Sequence, residues 1–256
     1  MSRSAPAIGV VGVGAMGGAM AAGLAPHARV VVEDLMPGRA DEVAAEHGVE
    51  SGDAAACDIV VMAVKPQDLA EVLSDVAPRM RDGAVLASVA AGWPTERLAD
   101  AAPGHPVVRL MPNLAVAHGA GVVVMASRGL DAAGQAEVRA LLDPLGAVVV
   151  LDEDLFPAAT AIGGSGPGFV AYLAAALERA AIAEGLPAAE ARAMVQGVLG
   201  GTAALLADGL DPAELQARVT SPGGTTAAGV AAMDERAADQ AVAAAVRAAA
   251  ARAAEL

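Results

Sequence analysis

Residues 8–17 read IGVVGVGAMG, a mostly apolar run that passes abruptly into a turn with glycines at positions 12, 14 and 17. Alone the motif is a weak signal, and its context strengthens it. A buried strand over residues 8–13, followed by a helix through Leu24, places G-x-G-x-x-G at a strand-to-helix turn, where a missing Cβ lets the backbone bend sharply and approach a ligand. The helix N-terminus then offers unpaired N–H groups and a positive dipole end to a pyrophosphate. Gly12, Gly14, Ala15, Met16 and Gly17 are therefore candidate dinucleotide contacts; a ligand-free turn with incidental glycines is the plainer alternative. A second apolar strand over residues 30–32 ends in Glu33-Asp34. Asp34 stands about 20 residues beyond Gly14, the spacing at which an acid meets ribose hydroxyls.

Further apolar runs at residues 59–64, 84–89, 107–111 and 147–151 alternate with helical segments, which predicts an α/β fold with a doubly wound parallel sheet over residues 1–152. Ligands bind such sheets beyond the carboxyl ends of the strands. The residues that follow these strands include Lys65, Ala91, Gly92 and Asn113. Lys65 is the only lysine beside fifteen arginines, which marks it as a candidate contact as well as a plain surface residue. Asn113 fits either an amide contact to a cofactor or a turn cap. A 2′-phosphate favours Arg or Lys over a carboxylate, so Glu33-Asp34, with Arg39 several residues on, favours NADH over NADPH.

A formal net charge of −14 argues against sequence-independent binding to nucleic acid or anionic membranes. Any anionic ligand is then held locally, by a few arginines or by backbone N–H groups. The single cysteine, Cys57, forms no intrachain disulfide and suits a reducing cytoplasm. Arg3 and the apolar run over residues 5–25 loosely resemble a secretory signal, but six glycines between Gly9 and Gly23 would break the helix it needs. The uncharged stretch 155–177 is long enough for a membrane span, yet its centre is GGSGPG, which favours a buried loop leading into an interface helix.

Beyond residue 152 the pattern becomes helical, over residues 169–184, 188–207, 212–219, 225–233 and 237–255, with Gly or Pro signals between several of them. Aromatic residues are only 2% of the chain, and several of these helices are apolar on more than one face. A helical domain over residues 153–256 that pairs with a second copy covers those faces. No His or Lys follows His118, and the one tyrosine is Tyr172. Proton transfer to or from a ketone or alcohol oxygen normally uses such groups. A cyclic imine differs, because its nitrogen is protonated before reaction and a hydroxyl suffices to orient it. The stretch 221–226 reads SPGGTT before a helix, a loop whose free N–H groups suit an anion; an ordinary cap by Ser221 or Thr225 is the alternative. No metal-ligand motif is evident.

The stretches IGVVGVGAMGGAM, AVKPQDL, SVAAG, VVRLMPN, GSGPGFVAYLAAALE, EGLP, QGVLGGTAALL and VTSPGGTTAAGVAAMDE together resemble the pyrroline-5-carboxylate reductase family. That resemblance implies an NAD(P)H-dependent cytoplasmic enzyme with a Rossmann domain and a helical domain that interleaves with its twin into a homodimer, often assembled further. It implies that Ser221, Gly223, Gly224 and Thr225 cradle the substrate carboxylate, that Thr226 bonds the ring nitrogen, and that Lys65, residues 90–92 and Asn113 line the cofactor crevice. Gly164-Ser165-Gly166-Pro167 matches the turn where the long interface helix begins. The chain departs from the family's usual residues at Ala175, where an acid is common, at Leu114-Ala115, where Thr-Pro is common, and at Trp93, where a small aliphatic residue is common. A six-membered or sulfur-containing cyclic imino acid is therefore the alternative substrate, and a non-catalytic NAD-binding regulatory protein the further alternative. A hydroxyacid dehydrogenase fits the first motif but needs a catalytic base, usually Lys, in the second half.

Overall fold

Eight strands form one sheet in the order β3-β2-β1-β4-β5-β6-β7-β8 in the computed structural model, which describes residues 6–255. They are β1 (Ala7–Val11), β2 (Arg29–Glu33), β3 (Glu50–Ser51), β4 (Ile59–Met62), β5 (Val85–Ser88), β6 (Val107–Pro112), β7 (Gly121–Arg128) and β8 (Gly146–Val150). Every residue of β1 and β4 is buried, as a parallel sheet covered on both faces requires. Helices α1 (Ala15–Leu24) and α5 (Ala132–Leu142) pack Met20, Leu24, Val138 and Leu142 into one core, and α2 (Arg39–His47) adds Val43 to it. Helices α3 (Leu69–Val76) and α4 (Thr95–Ala101) pack Leu69, Leu73, Val76 and Leu98 into another. The start of the signal-like run, Arg3 and Ala5, lies outside the described residues. The rest of that run is a strand, a turn and a helix, with no continuous apolar helix.

The sheet departs from a fully parallel one at a single neighbour pair. Strand β7, which the sequence reading above leaves out, runs antiparallel to β6 with Val107 opposite Arg128 and Pro112 opposite Val123. Only the short turn Leu114–His118 joins them, and a parallel crossover needs about a dozen residues or more, so the chain folds straight back. The strand order reverses direction between β1 and β4, and the crevice expected for ligands lies beyond their carboxyl ends.

After β8 the chain enters a 3₁₀ turn (Glu153–Leu155), the single-turn α6 (Phe156–Ala159) and a π turn (Thr160–Gly164). Glu153 ties this passage to the sheet. Its carboxylate accepts hydrogen bonds from the Thr95 N–H at 2.9 Å, the Thr95 hydroxyl at 2.7 Å and Arg109 Nη1 at 2.9 Å. Arg109 in turn lies over the Phe156 ring, 4.5 Å from its centroid.

Backbone proximity divides the chain into two units: one runs through Gly164 and takes in the residues from Ala249 onward, and the other is Ser165–Ala248. The second unit is built from α7 (Gly166–Ala183), α8 (Ala188–Ala207), α9 (Pro212–Arg218), α10 (Thr225–Glu235) and most of α11 (Ala238–Ala254). Gly185, at φ +97°, turns α7 toward α8, and Glu178 pairs with Arg192 across them at 3.0 Å. Asp211 caps α9 by accepting from the N–H groups of Ala213 and Glu214, with Pro212 at the first helical position. Ala191 is the one buried residue of this unit, whereas Val170, Tyr172, Leu173, Leu177, Met194 and Val198 are exposed. The helical stretch Glu153–Ala183 is long and apolar enough to cross a bilayer.

Burial alone would raise the Glu153 pKa, but the hydrogen bonds from Thr95 and Arg109 outweigh it and hold the carboxyl below its ordinary value. A depressed carboxyl contributes stability above its unfolded pKa and loses it as pH falls through its folded pKa. Glu153→Gln should therefore cost about 1–2 kcal/mol in urea unfolding at neutral pH. The gap from the parent protein should close as the pH is lowered through the acidic carboxylate range.

Candidate active site

The glycine-rich turn is fastened from three sides. The Gly12 N–H donates to the Glu33 carbonyl at 2.8 Å, and the Val13 N–H donates to Asp34 Oδ2 at 2.8 Å. Asp34 Oδ1 accepts from the Met36 N–H at 2.9 Å, so both carboxylate oxygens are engaged by backbone. Arg39 Nε donates to the Val13 carbonyl at 3.2 Å. Gly12 has φ +88°, and a Cβ there would stand 2.7 Å from Val64 Cγ1, one residue before Lys65. A Cβ on Gly17 would collide with the Gly12 carbonyl oxygen, so α1 lies against the turn only because position 17 has no side chain.

Gly14, by contrast, meets nothing within 4 Å, and Gly14 and Ala15 are exposed. No side chain caps α1 at Gly14, which leaves the first N–H groups of the helix, from Ala15, Met16 and Gly17, without an intrahelical partner. These features fit a dinucleotide pyrophosphate: open space in front, orphan donors aimed into it, and a dipole of favourable sign.

The other strand ends sit as follows. Lys65 and Ala91 are exposed, and Gly92 adopts φ +73°. Trp93 is 4% exposed; its indole N–H donates to the Pro66 carbonyl at 3.0 Å, and Arg97 stacks 3.7 Å from the ring centroid. It thus pins the loop after β5 to the loop after β4. Asn113 is buried, with Nδ2 donating to the Gly163 carbonyl at 2.7 Å and Oδ1 accepting from the Ala115 N–H at 3.1 Å. It therefore caps the turn of residues 114–118 and latches the π turn, with one amide hydrogen left over. The roles of Trp93, Arg109 and Glu153 carry no local sequence signal, because their partners lie 27 to 58 residues away.

In the second unit, Ser221, Gly223, Gly224 and Thr225 form a turn directly before α10. The Gly224 N–H donates to the Ser221 carbonyl at 3.0 Å, Gly223 has φ +69°, and a Cβ on Gly224 would strike Ser221 Oγ. The helix cap is Gly224, and no side chain caps it. The ordinary-cap alternative for Ser221 and Thr225 is thereby removed. The N–H groups of Thr225, Thr226 and Ala227 open α10 without intrahelical acceptors, and Thr226 lies half-buried in that first turn. The turn can hold a carboxylate by backbone alone and present a hydroxyl beside it.

A glycine-rich turn at the switch point of a doubly wound sheet defines a Rossmann-type dinucleotide-binding domain, the arrangement that NAD(P)H-dependent oxidoreductases use. Residues 7–92 match the family "NADP oxidoreductase coenzyme F420-dependent", and residues 153–256 match "Pyrroline-5-carboxylate reductase dimerisation". The chain is 34% identical to pyrroline-5-carboxylate reductase of Synechocystis over 97% of each sequence. It is 36% identical to that of Mycobacterium leprae over 100% of this chain and 98% of the relative. The solved structure of a pyrroline-5-carboxylate reductase from Coxiella burnetii superposes with a TM-score of 0.90 at 25% identity, covering 98% of each chain. The chain belongs to the pyrroline-5-carboxylate reductase family, and it carries that family's dimerisation domain.

Gly17→Ala tests the packing of the turn. The added methyl must push α1 away from Gly12, and we expect a loss of about 1–3 kcal/mol in stability. A larger relative loss in nucleotide affinity, measured by quenching of protein fluorescence or by calorimetry, should accompany it.

Proposed function

We propose that this protein reduces Δ1-pyrroline-5-carboxylate to L-proline with NAD(P)H, the last step of proline synthesis. The observation that carries the proposal is the uncapped α10 N-terminus in SPGGTT, with Thr226 in its first turn and no lysine or histidine anywhere in the second unit. Family membership supports the same reading.

The residues divide the work by chemistry. The N–H groups of Gly14, Ala15, Met16 and Gly17 bind the cofactor pyrophosphate, Asp34 stands at the ribose, and Lys65, Ala91, Gly92 and the remaining amide hydrogen of Asn113 face the rest of the cofactor. The reduced nicotinamide supplies a hydride to the imine carbon. Ser221, Gly223, Gly224 and Thr225 hold the substrate carboxylate through backbone N–H groups and the helix dipole. Thr226 orients the protonated ring nitrogen with its hydroxyl oxygen as acceptor. As the hydride adds to carbon, the C=N π pair moves to nitrogen and neutralises its charge, so no side chain has to deliver a proton in that step. This is why the site needs no His or Lys.

NADH is the favoured cofactor in this proposal, because Asp34 places a carboxylate where a 2′-phosphate would lie. The helical domain forms a homodimer, with assembly beyond the dimer open to it, and the exposed apolar residues of α7 and α8 are the surface that a second copy would cover. That surface also accounts for the apolar stretch Glu153–Ala183 without a membrane. The strong negative charge disfavours nucleic acid and anionic lipid, and the buried free thiol of Cys57 suits a cytoplasmic setting. The exposed Ala175 on α7, in place of the family's usual acid, keeps a larger ring as the second reading.

Following absorbance at 340 nm with NADH or NADPH and the five-membered imine should show rapid consumption, with the six-membered homologue slower. The reverse order would move the substrate to the larger ring, and nucleotide binding without turnover on either would favour a regulatory role. Thr226→Ala should lower kcat about ten- to hundredfold, the worth of a hydrogen bond to a charged group, with nucleotide affinity unchanged. Unchanged turnover would remove Thr226 from the mechanism.

A further inference from the structure

Trp93 has no part in the roles given above, yet it joins two of the loops assigned to the cofactor. The first of these loops follows β4. There Val64 stands so close to the glycine-rich turn that a Cβ on Gly12 would meet its Cγ1 at 2.7 Å, and Lys65 and Pro66 come next. The Lys65 carbonyl accepts from the Asp68 N–H at 3.0 Å, which closes a turn ahead of α3. The Pro66 carbonyl accepts from the Trp93 indole N–H at 3.0 Å, from 27 positions away. The peptides on either side of Pro66 are therefore both held, while the Lys65 side chain stays exposed.

The second loop follows β5. The Val89 N–H still donates to the Met62 carbonyl at 3.1 Å, and the Ala90 N–H turns to Ser88 Oγ at 3.2 Å. Ala91 is exposed, Gly92 takes the left-handed φ of +73°, and the next side chain, Trp93, is buried. Arg97 covers one face of the indole, and Thr95, two residues on, is anchored by Glu153. The ring is thus fixed by its N–H, by its face and by the chain that follows it. Among the described residues it makes the single side-chain hydrogen bond between the two loops. An aliphatic side chain at position 93 would have no donor for Pro66.

We propose that Trp93 is a positioning residue for the nicotinamide half of the cofactor. Its indole N–H sets the spacing between Lys65 and the Ala91-Gly92 segment, and through them the place where the reduced ring stands against the imine carbon. The inference rests on the strand ends being the cofactor crevice and deepens the reading given above. Being buried, Trp93 acts through Pro66 and Gly92. Hydride transfer needs the two reacting carbons at near-attack distance, so a small displacement of either loop is felt in binding and rate.

The test compares the wild type with Trp93→Phe and Trp93→Val. Calorimetry gives dissociation constants for NADH and for ADP, which carries the adenosine and diphosphate half alone. Trp93→Phe keeps an aromatic ring in the core and removes the donor. It should weaken NADH about five- to tenfold, the worth of one hydrogen bond, and leave ADP unchanged. KM for NADH should rise in step, with KM for the imine unchanged. Trp93→Val should weaken NADH further, because it also leaves a cavity, and urea unfolding reads that loss of stability separately. Because Trp93 is the only tryptophan, its emission should pass to bound NADH in the wild type by energy transfer to the reduced nicotinamide.

Equal weakening of NADH and ADP, unchanged NADH binding in Trp93→Phe, or bound NADH without energy transfer would each overturn the proposal and leave Trp93 a core residue. A wild type that binds neither nucleotide would instead overturn the cofactor-site reading. Binding of NADH without turnover of the imine would overturn the proposed reaction, and the two dissociation constants would still decide the role of Trp93.

Discussion

Contact between α1 and the turn that follows β1 is the constraint on which the rest of the first unit depends. Position 17 lies so close to the Gly12 carbonyl that any side chain would force the helix off the sheet. Because it has none, the helix axis points its N-terminus over the carboxyl ends of β1 and β4, and the orphan N–H groups there face open space. Glu33 and Asp34 from the end of β2, Arg39 from α2 and Val64 after β4 then hold the turn in place. A cofactor would meet a site whose geometry is already set, and little ordering remains to be done on binding.

The second unit is governed by the opposite condition. With one buried residue, it has no core of its own, and its exposed leucines, valines and methionines would be costly in water. A scarcity of aromatic residues and an abundance of alanine make its helices slender, suited to close packing against further helices. Membership of the dimerisation family gives that surface a purpose, and it explains why a helix of membrane-spanning length and composition occurs in a chain with a formal charge of −14.

Acidity and catalysis are reconciled by the use of backbone. Both candidate anion sites, at the N-termini of α1 and α10, rely on glycine turns and uncapped helix ends, with no basic side chain required to create them. In the proposed reaction an imine needs only its nitrogen oriented and its carbon exposed to hydride, and the Thr226 hydroxyl would stand where alcohol and ketone chemistry uses lysine or histidine. The proposed substrate class and the absence of lysine and histidine from the second unit thus belong together.

Much of this was legible in the amino-acid sequence because it is local. The first glycine motif, the succession of strands and helices, the turns at Gly185 and Pro212, and the SPGGTT loop are each specified by neighbours within a few positions, where glycine, proline and apolar period act directly on the backbone. What only the tertiary structure decided is long-range. Strand β7 runs antiparallel to β6, since the short link after β6 leaves no length for a crossover. Asn113 became a latch on the π turn, Trp93 a buried bolt between two loops, and Glu153 a clamp on Thr95 and Arg109, through partners far away in sequence. Asp34 marks the boundary most clearly: its position announced a ribose-binding acid, but only folding showed that it holds the N–H of Val13 while Arg39 holds the carbonyl of the same residue. Sequence determines which groups are present and how the nearby backbone turns, whereas side chains that meet across a sheet owe their meeting to the packing of the whole core.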